Sequence, residues 1–157
     1  MKKFELTNEF ITNMFGTKLF RIRALVEFGD VEAGELGGYV EKESNLGHDD
    51  NAWVYDNAWV YGDAQVSGDA RVYGNGDYAY AHGFGSVNRT TTFFRLKDGG
   101  VGVRCGCFYG TLAQFRDKIR ETHGETKKAQ EYLMLADLME LRFEEDENEV
   151  GNRKYVE

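Results

Sequence analysis

The chain has 157 residues, 41% of them hydrophobic and 29% charged, the composition of one folded domain or two small lobes rather than of a disordered segment. No apolar run approaches the ~18–20 residues of a membrane span, and "MKKFELTNEF" lacks the apolar core of a signal peptide, so a cytoplasmic setting is expected. The net charge of −8 is unevenly placed: residues 1–46, 47–86, 87–128 and 129–157 carry −2, −5, +5 and −6, which argues against bulk coating of nucleic acid.

In chain order, "KKFELT" and "TKLFRIRALVEF" read as two strands around an Asn-Met-Phe-Gly turn. Phe20, Ile22 and Ala24 share one face of the second strand, and Arg21 and Arg23 the other. The hairpin is expected to cap whatever edge residues 39 onward leave open. With 19 Gly and no Pro, tight turns fall to Gly, Asn and Asp.

From Asn51 the chain repeats itself: "NAWVYDNAWVYGDAQVSGDARVYGNG". Val54, Val60, Val66 and Val72 recur at a period of six; Ala58, Ala64, Ala70 and Gly76 follow four residues after each. Six is neither a helix period nor simple strand alternation. It predicts a coil of very short sides, with Val and Ala inward and Gly-Asx pairs at the corners, so that residues 18 apart stack. Val40 with Ser44 extends the pattern backward. The eight residues from Leu46 to Val54 imply a two-residue insertion around His48–Asp50. Forward, the pattern fades through Tyr78 and His82. Stacking sets Tyr55 over Tyr73 and Trp53 over Arg71, and places Trp53, Tyr55, Trp59, Tyr61 and Tyr73 outward or at corners, as candidates for a protein interface. The acids do not stack on acids, so no metal column is expected.

Here the sequence resembles the hexapeptide-repeat proteins, in "VYDNAW", "VYGDAQ" and "VSGDAR". The resemblance implies a left-handed parallel β-helix, often assembled as a trimer. It also brings in a hexapeptide acyltransferase with a His base as an alternative, for which His48 in the insertion is the candidate. The three-His metal site of the γ-type carbonic anhydrases is not reproduced by His48, His82 and His123.

After the repeat, "RTTTFFRL-KDGG-VGVRCGCFYG" reads as a hairpin across Lys97–Gly100. Thr111 and Gln114 fit a capping box, with Leu112, Phe115 and Ile119 on one face of the helix that follows and Gly124 ending it. A second helix is expected near Lys127–Phe143, with Ala129, Tyr132, Leu133, Ala136, Met139 and Phe143 as its apolar stripe. Cys105 alternates with Val101 and Val103 as a small core residue. A bridge to Cys107 would be strained, so both read as reduced thiols. Arg89, Arg95, Lys97, Arg104, Lys127 and Lys128 are candidates for an anion or nucleotide pocket. "FRIRAL…GDVEAGELGGYVEKESNL" and "TTTFFRLKDGGVGVRCGCFYGTLAQFRDKIRETHG" are similar to a family of small hexapeptide-repeat proteins of bacteriophages and prophages.

The expected fold is therefore mainly β: an N-terminal β-hairpin cap (1–38), a short left-handed parallel β-helix (39–86), a C-terminal ββαα lobe (87–143) and an acidic tail (144–157). The expected role is that of a non-enzymatic, oligomeric binding protein, with a trimer favoured, without cofactor or metal. It would inhibit a host antiviral-defence process by binding a host protein or sequestering a nucleotide signal. A structural virion or assembly component is a further alternative.

Overall fold

The structure, a computed structural model, describes residues 2–85 and 89–144. The expected acidic tail lies outside the described residues apart from Glu144.

Strands β1 (Phe4–Thr12) and β2 (Lys18–Ala24) form the expected antiparallel hairpin. Its turn is held by the Asn13 carboxamide oxygen, which accepts from the backbone N–H groups of Phe15 and Thr17. β2 pairs antiparallel with β3 (Leu36–Val40), and β3 pairs parallel with β5 (Trp59–Val60), giving a mixed sheet of order β1-β2-β3-β5. β4 (Trp53–Val54) pairs parallel with β6 (Arg71–Val72). β7 (Tyr78–Phe84), β8 (Arg89–Arg95), β9 (Val101–Cys105) and β10 (Phe108–Thr111) make an antiparallel sheet of order β10-β9-β8-β7. Helices α1 (Leu112–His123) and α2 (Lys127–Phe143) follow.

The left-handed parallel β-helix expected for residues 39–86 is not the architecture of the protein. The fold is mainly β with two C-terminal helices, and its four-stranded sheets are antiparallel or mixed. Among the described residues, parallel pairing is confined to β3 with β5, β4 with β6 and a single Leu46–Val66 bridge. Two physical causes limit it. The six-residue sides leave strands of only two residues between corners, and antiparallel neighbours claim the edges at both ends. β2 takes the free edge of β3, and β7 leaves the repeat to pair with β8. The C-terminal lobe is correspondingly larger than ββαα, since β7 and β10 join its sheet.

The repeat register nonetheless fills the first core. Val40, Leu46, Val54, Val60, Val66 and Val72 are buried, as are Ala52, Ala58, Ala64 and Ala70. The corner residues Asp56, Gly62 and Gly68 all have positive φ, at 53°, 64° and 66°, the conformation that glycine and short polar residues tolerate. Ser44, expected inward, is exposed, and Asn45 is buried instead. Its Nδ2 donates to the Gly62 and Ala64 carbonyls at 3.0 and 2.9 Å, and its Oδ1 accepts from the Lys42 N–H.

The antiparallel sheet β10-β9-β8-β7 separates two cores. Alternation turns Tyr78 and Phe94 toward the repeat, where Thr92 Oγ1 accepts from the Gln65 N–H. It turns Phe93 and Val103 toward the helices, where Leu112, Phe115, Ile119, Ala129, Tyr132, Ala136, Met139 and Phe143 complete the second core. The capping box at Thr111 and Gln114 is formed, and Gly124 caps the end of α1.

Candidate functional site

Where the β9–β10 turn and the start of β8 meet the last turns of α1, the second core opens into a cleft of about 300 Å³. Its floor is apolar and aromatic: Phe108, Phe115, Ile119 and Tyr132. The Phe115 ring stands edge-on to those of Tyr132 and Phe93 at 5.7 and 6.0 Å, which fixes it in place. The rim carries two cations and an imidazole. Lys118 comes from the outer side of α1, His123 from its last turn, and Arg89 from the first residue of β8. Gly106, at φ 61°, lets the turn pass close beneath Arg89; a Cβ there would overlap the guanidinium. Among the described residues lining the cleft there is no carboxylate.

Two polar groups sit deeper. The Thr91 hydroxyl donates to Cys105 Sγ at 3.3 Å, and the Tyr132 hydroxyl lies 3.8 Å from the same sulfur. Burial first, then the neighbouring Cys105, push the Tyr132 hydroxyl up to about 12, against the opposing pull of Arg89. At neutral pH it therefore stays protonated, a hydrogen-bond donor rather than a base or nucleophile. The His123 ring stacks on Tyr132 at 5.9 Å and 26°, closing that wall. The arrangement suits a ligand with a flat apolar body and an anionic end, at the small end of ligand-pocket volumes.

Of the six cations singled out in the sequence, the structure brings only Arg89 to this cleft. Arg95 crosses the Phe143 ring at 5.2 Å, donates to the Phe143 carbonyl at 3.2 Å and lies 3.8 Å from Asp77. Lys97 borders a small polar recess with Asp69 and Arg71. Arg104 pairs across from Thr92, on the sheet face opposite Cys105, and its Nε donates to the Gly106 carbonyl at 2.8 Å. Lys127 and Lys128 are exposed in the first turn of α2. Lys118 and His123, the ammonium and the imidazole that complete the rim, are not singled out by the sequence as an anion site. Their signal was a helical spacing of three and eight residues from Phe115, which says nothing of Arg89 without the fold.

The aromatic set also divides. Trp53 is not outward but fully buried, covered by Phe28 and Phe4 with ring centres at 5.2 and 6.4 Å. The N-terminal segments fold over a position that would face water in a bare coil. Tyr55 stacks on Tyr73 at 4.3 Å and 17°, as the spacing predicts, and its hydroxyl donates to Asp30. Trp59 is half-buried, while Tyr61 and Tyr73 remain exposed.

The insertion at His48–Asp50 serves as an anchor for the N-terminus. His48 stacks on Phe4 at 4.3 Å, and its Nδ1 accepts from the Lys3 N–H at 3.1 Å. The buried Lys3 ammonium donates to the Ala52 carbonyl at 2.6 Å, the Asp50 carbonyl at 3.0 Å and the Asp50 carboxylate at 3.2 Å. Burial lowers its pKa, with Asp50 opposing the shift. Among the described residues, no group of three or more His, Cys, Asp and Glu is placed to hold a metal ion, and no helix is long and apolar enough to cross a membrane. No family model and no curated protein matches the chain.

Proposed function

We propose that this is a binding protein rather than an enzyme, and that its working site is the cleft between α1 and the β9–β10 turn. The ligand class is a small anion with a flat apolar body, a nucleotide signal being the first to test. The observation that carries the reading is the combination of two cations at the rim, Arg89 and Lys118, beside the His123 imidazole, with an aromatic floor and no carboxylate among the described lining residues. Guanidinium and ammonium groups recognise phosphate, while the Phe108 and Phe115 rings offer area to a base. Binding is favoured over catalysis because His123 packs on Tyr132 and no carboxylate of the described lining orients it. The resemblance to phage and prophage proteins read in the sequence would make sequestration of a host defence signal its biological setting.

Calorimetric titration and thermal shift with mononucleotides and cyclic nucleotides test the reading. Saturable binding is expected, with at least about a tenfold loss of affinity in Arg89→Ala combined with Lys118→Ala. Lys97→Ala and Lys127→Ala should leave it unchanged. Binding that survives loss of Arg89 and Lys118, or no binding by any nucleotide, would sink the proposal. Capture of one host protein through Tyr61 and Tyr73 would favour a protein-directed inhibitor instead.

A further inference from the structure

The outward face of α2 carries an apolar ridge that nothing among the described residues covers. Met134, Leu138 and Leu141 are 70%, 54% and 68% exposed. At spacings of four and three residues they fall on one line along the helix, opposite the stripe that fills the second core. A lone exposed apolar residue needs no explanation; three in a row on one helix face do.

The charges beside the ridge are arranged for a particular partner. On the α1 side, Asp137 and Glu140 are already engaged by Arg116 at 2.9 and 3.1 Å. On the other side stand Glu131 and Arg142, exposed, and without an ion pair among the described residues. They are eleven residues apart, close to three full turns, so both lie on the same flank. Their midpoint falls between Ala136 and Asp137, within half a residue of the midpoint of Met134 and Leu138. A patch whose opposite charges are symmetric about the centre of its own ridge is complementary to itself after a two-fold rotation.

We propose that the protein pairs with a second copy of itself through α2, the two helices antiparallel. Met134 of each copy then faces Leu138 of the other, and Glu131 of each faces Arg142 of the other, twice over by symmetry. Leu141 reaches across Gln130 and the Lys127 stem. Antiparallel pairing also opposes the two helix dipoles and brings Lys127 and Lys128 near the carbonyl end of the partner helix, the negative end of its dipole; a parallel pair would bring like ends together. None of the residues named in this contact lines the ligand cleft, so this inference stands apart from the proposed ligand binding. It also differs from the trimer implied by the hexapeptide-repeat resemblance, because an isologous helix pair closes at two.

Sedimentation of the full chain tests it, against a monomer mass of 17.9 kDa. The expected result is a concentration-dependent dimer. Leu138→Glu should raise its dissociation constant at least about tenfold. Glu131→Arg and Arg142→Glu should each weaken it several-fold, and the two together should restore it to within about twofold. Thermal melts check that each variant is folded; should Leu138→Glu fail that check, the charge-swap series decides alone. A wild type that stays monomeric at its highest soluble concentration overturns the proposal. So does a trimer indifferent to Leu138→Glu, or a double swap that fails to rescue the single ones.

Discussion

The two cores on either side of the antiparallel sheet are built to opposite ends. The repeat core is filled by Val and Ala at fixed intervals, tied across its turns by Asn45, and sealed by Phe4, Phe28 and the clamp of Lys3 on Asp50. The helical core is filled by large aromatics from three elements, and it leaves both a cleft beside Phe115 and an uncovered ridge on α2. A repeated small residue packs against its own copies, and the recess beside the repeat is small and polar, at Asp69 and Arg71. Unlike side chains from a sheet and two helices meet at angles and leave one with an apolar floor. The scaffold and the recognition surfaces are thus divided by the kind of packing each can form.

Variants that break one side and spare the other sharpen the contrast. Trp53→Ala should cost about 3–5 kcal/mol in urea unfolding, because the largest fully buried side chain of the repeat core is removed. Nucleotide binding at the cleft should persist wherever that variant is still folded. Phe115→Ala should cost a similar amount, but should abolish binding as well, since it deletes the cleft floor. Lys3→Met should cost about 3 kcal/mol by leaving Asp50 and two carbonyls without their donor. Asn45→Ala should cost about 1–3 kcal/mol, since the Gly62 and Ala64 carbonyls lose their partner.

The smallest expected effect is in alkali. Burial raises the hydroxyls of Tyr55 and Tyr78 above the ordinary 10.0, and that of Tyr132 to about 12. A raised folded-state value means the unfolded chain loses its proton first. The stabilisation is whole below pH 10 and falls as pH climbs through the folded values. Urea melts should therefore show a declining midpoint only above about pH 10. Tyr132→Phe should flatten the part of that decline between about pH 10 and 12, leaving the part due to Tyr55 and Tyr78. A decline that begins near neutrality would contradict this account.

Local signals were legible where neighbours in sequence are neighbours in space. The capping box at Thr111, the end of α1 at Gly124, the span of α2, both hairpins and the stacking of Tyr55 on Tyr73 all rest on contacts within a few residues or one repeat turn. The failures share the opposite property. The parallel solenoid was extrapolated from a period, whereas which strand edges stay free depends on β2 and β7 pairing elsewhere. Trp53 sits at an outward position by register, and distant Phe4 and Phe28 bury it. The basic segment between residues 87 and 128 was visible, but its cations scatter over both faces of the sheet and two helix ends.

What the sequence determined by itself is the inward register of Val and Ala, the glycine and Asx corners, and the helices with their caps. Each is set by backbone preference and side-chain size at short range. What only the tertiary structure decided is which edges pair, which aromatics are covered, and that Arg89 meets Lys118 and His123 over Phe115. Those depend on segments far apart in the chain converging on one place, and no local periodicity encodes that convergence.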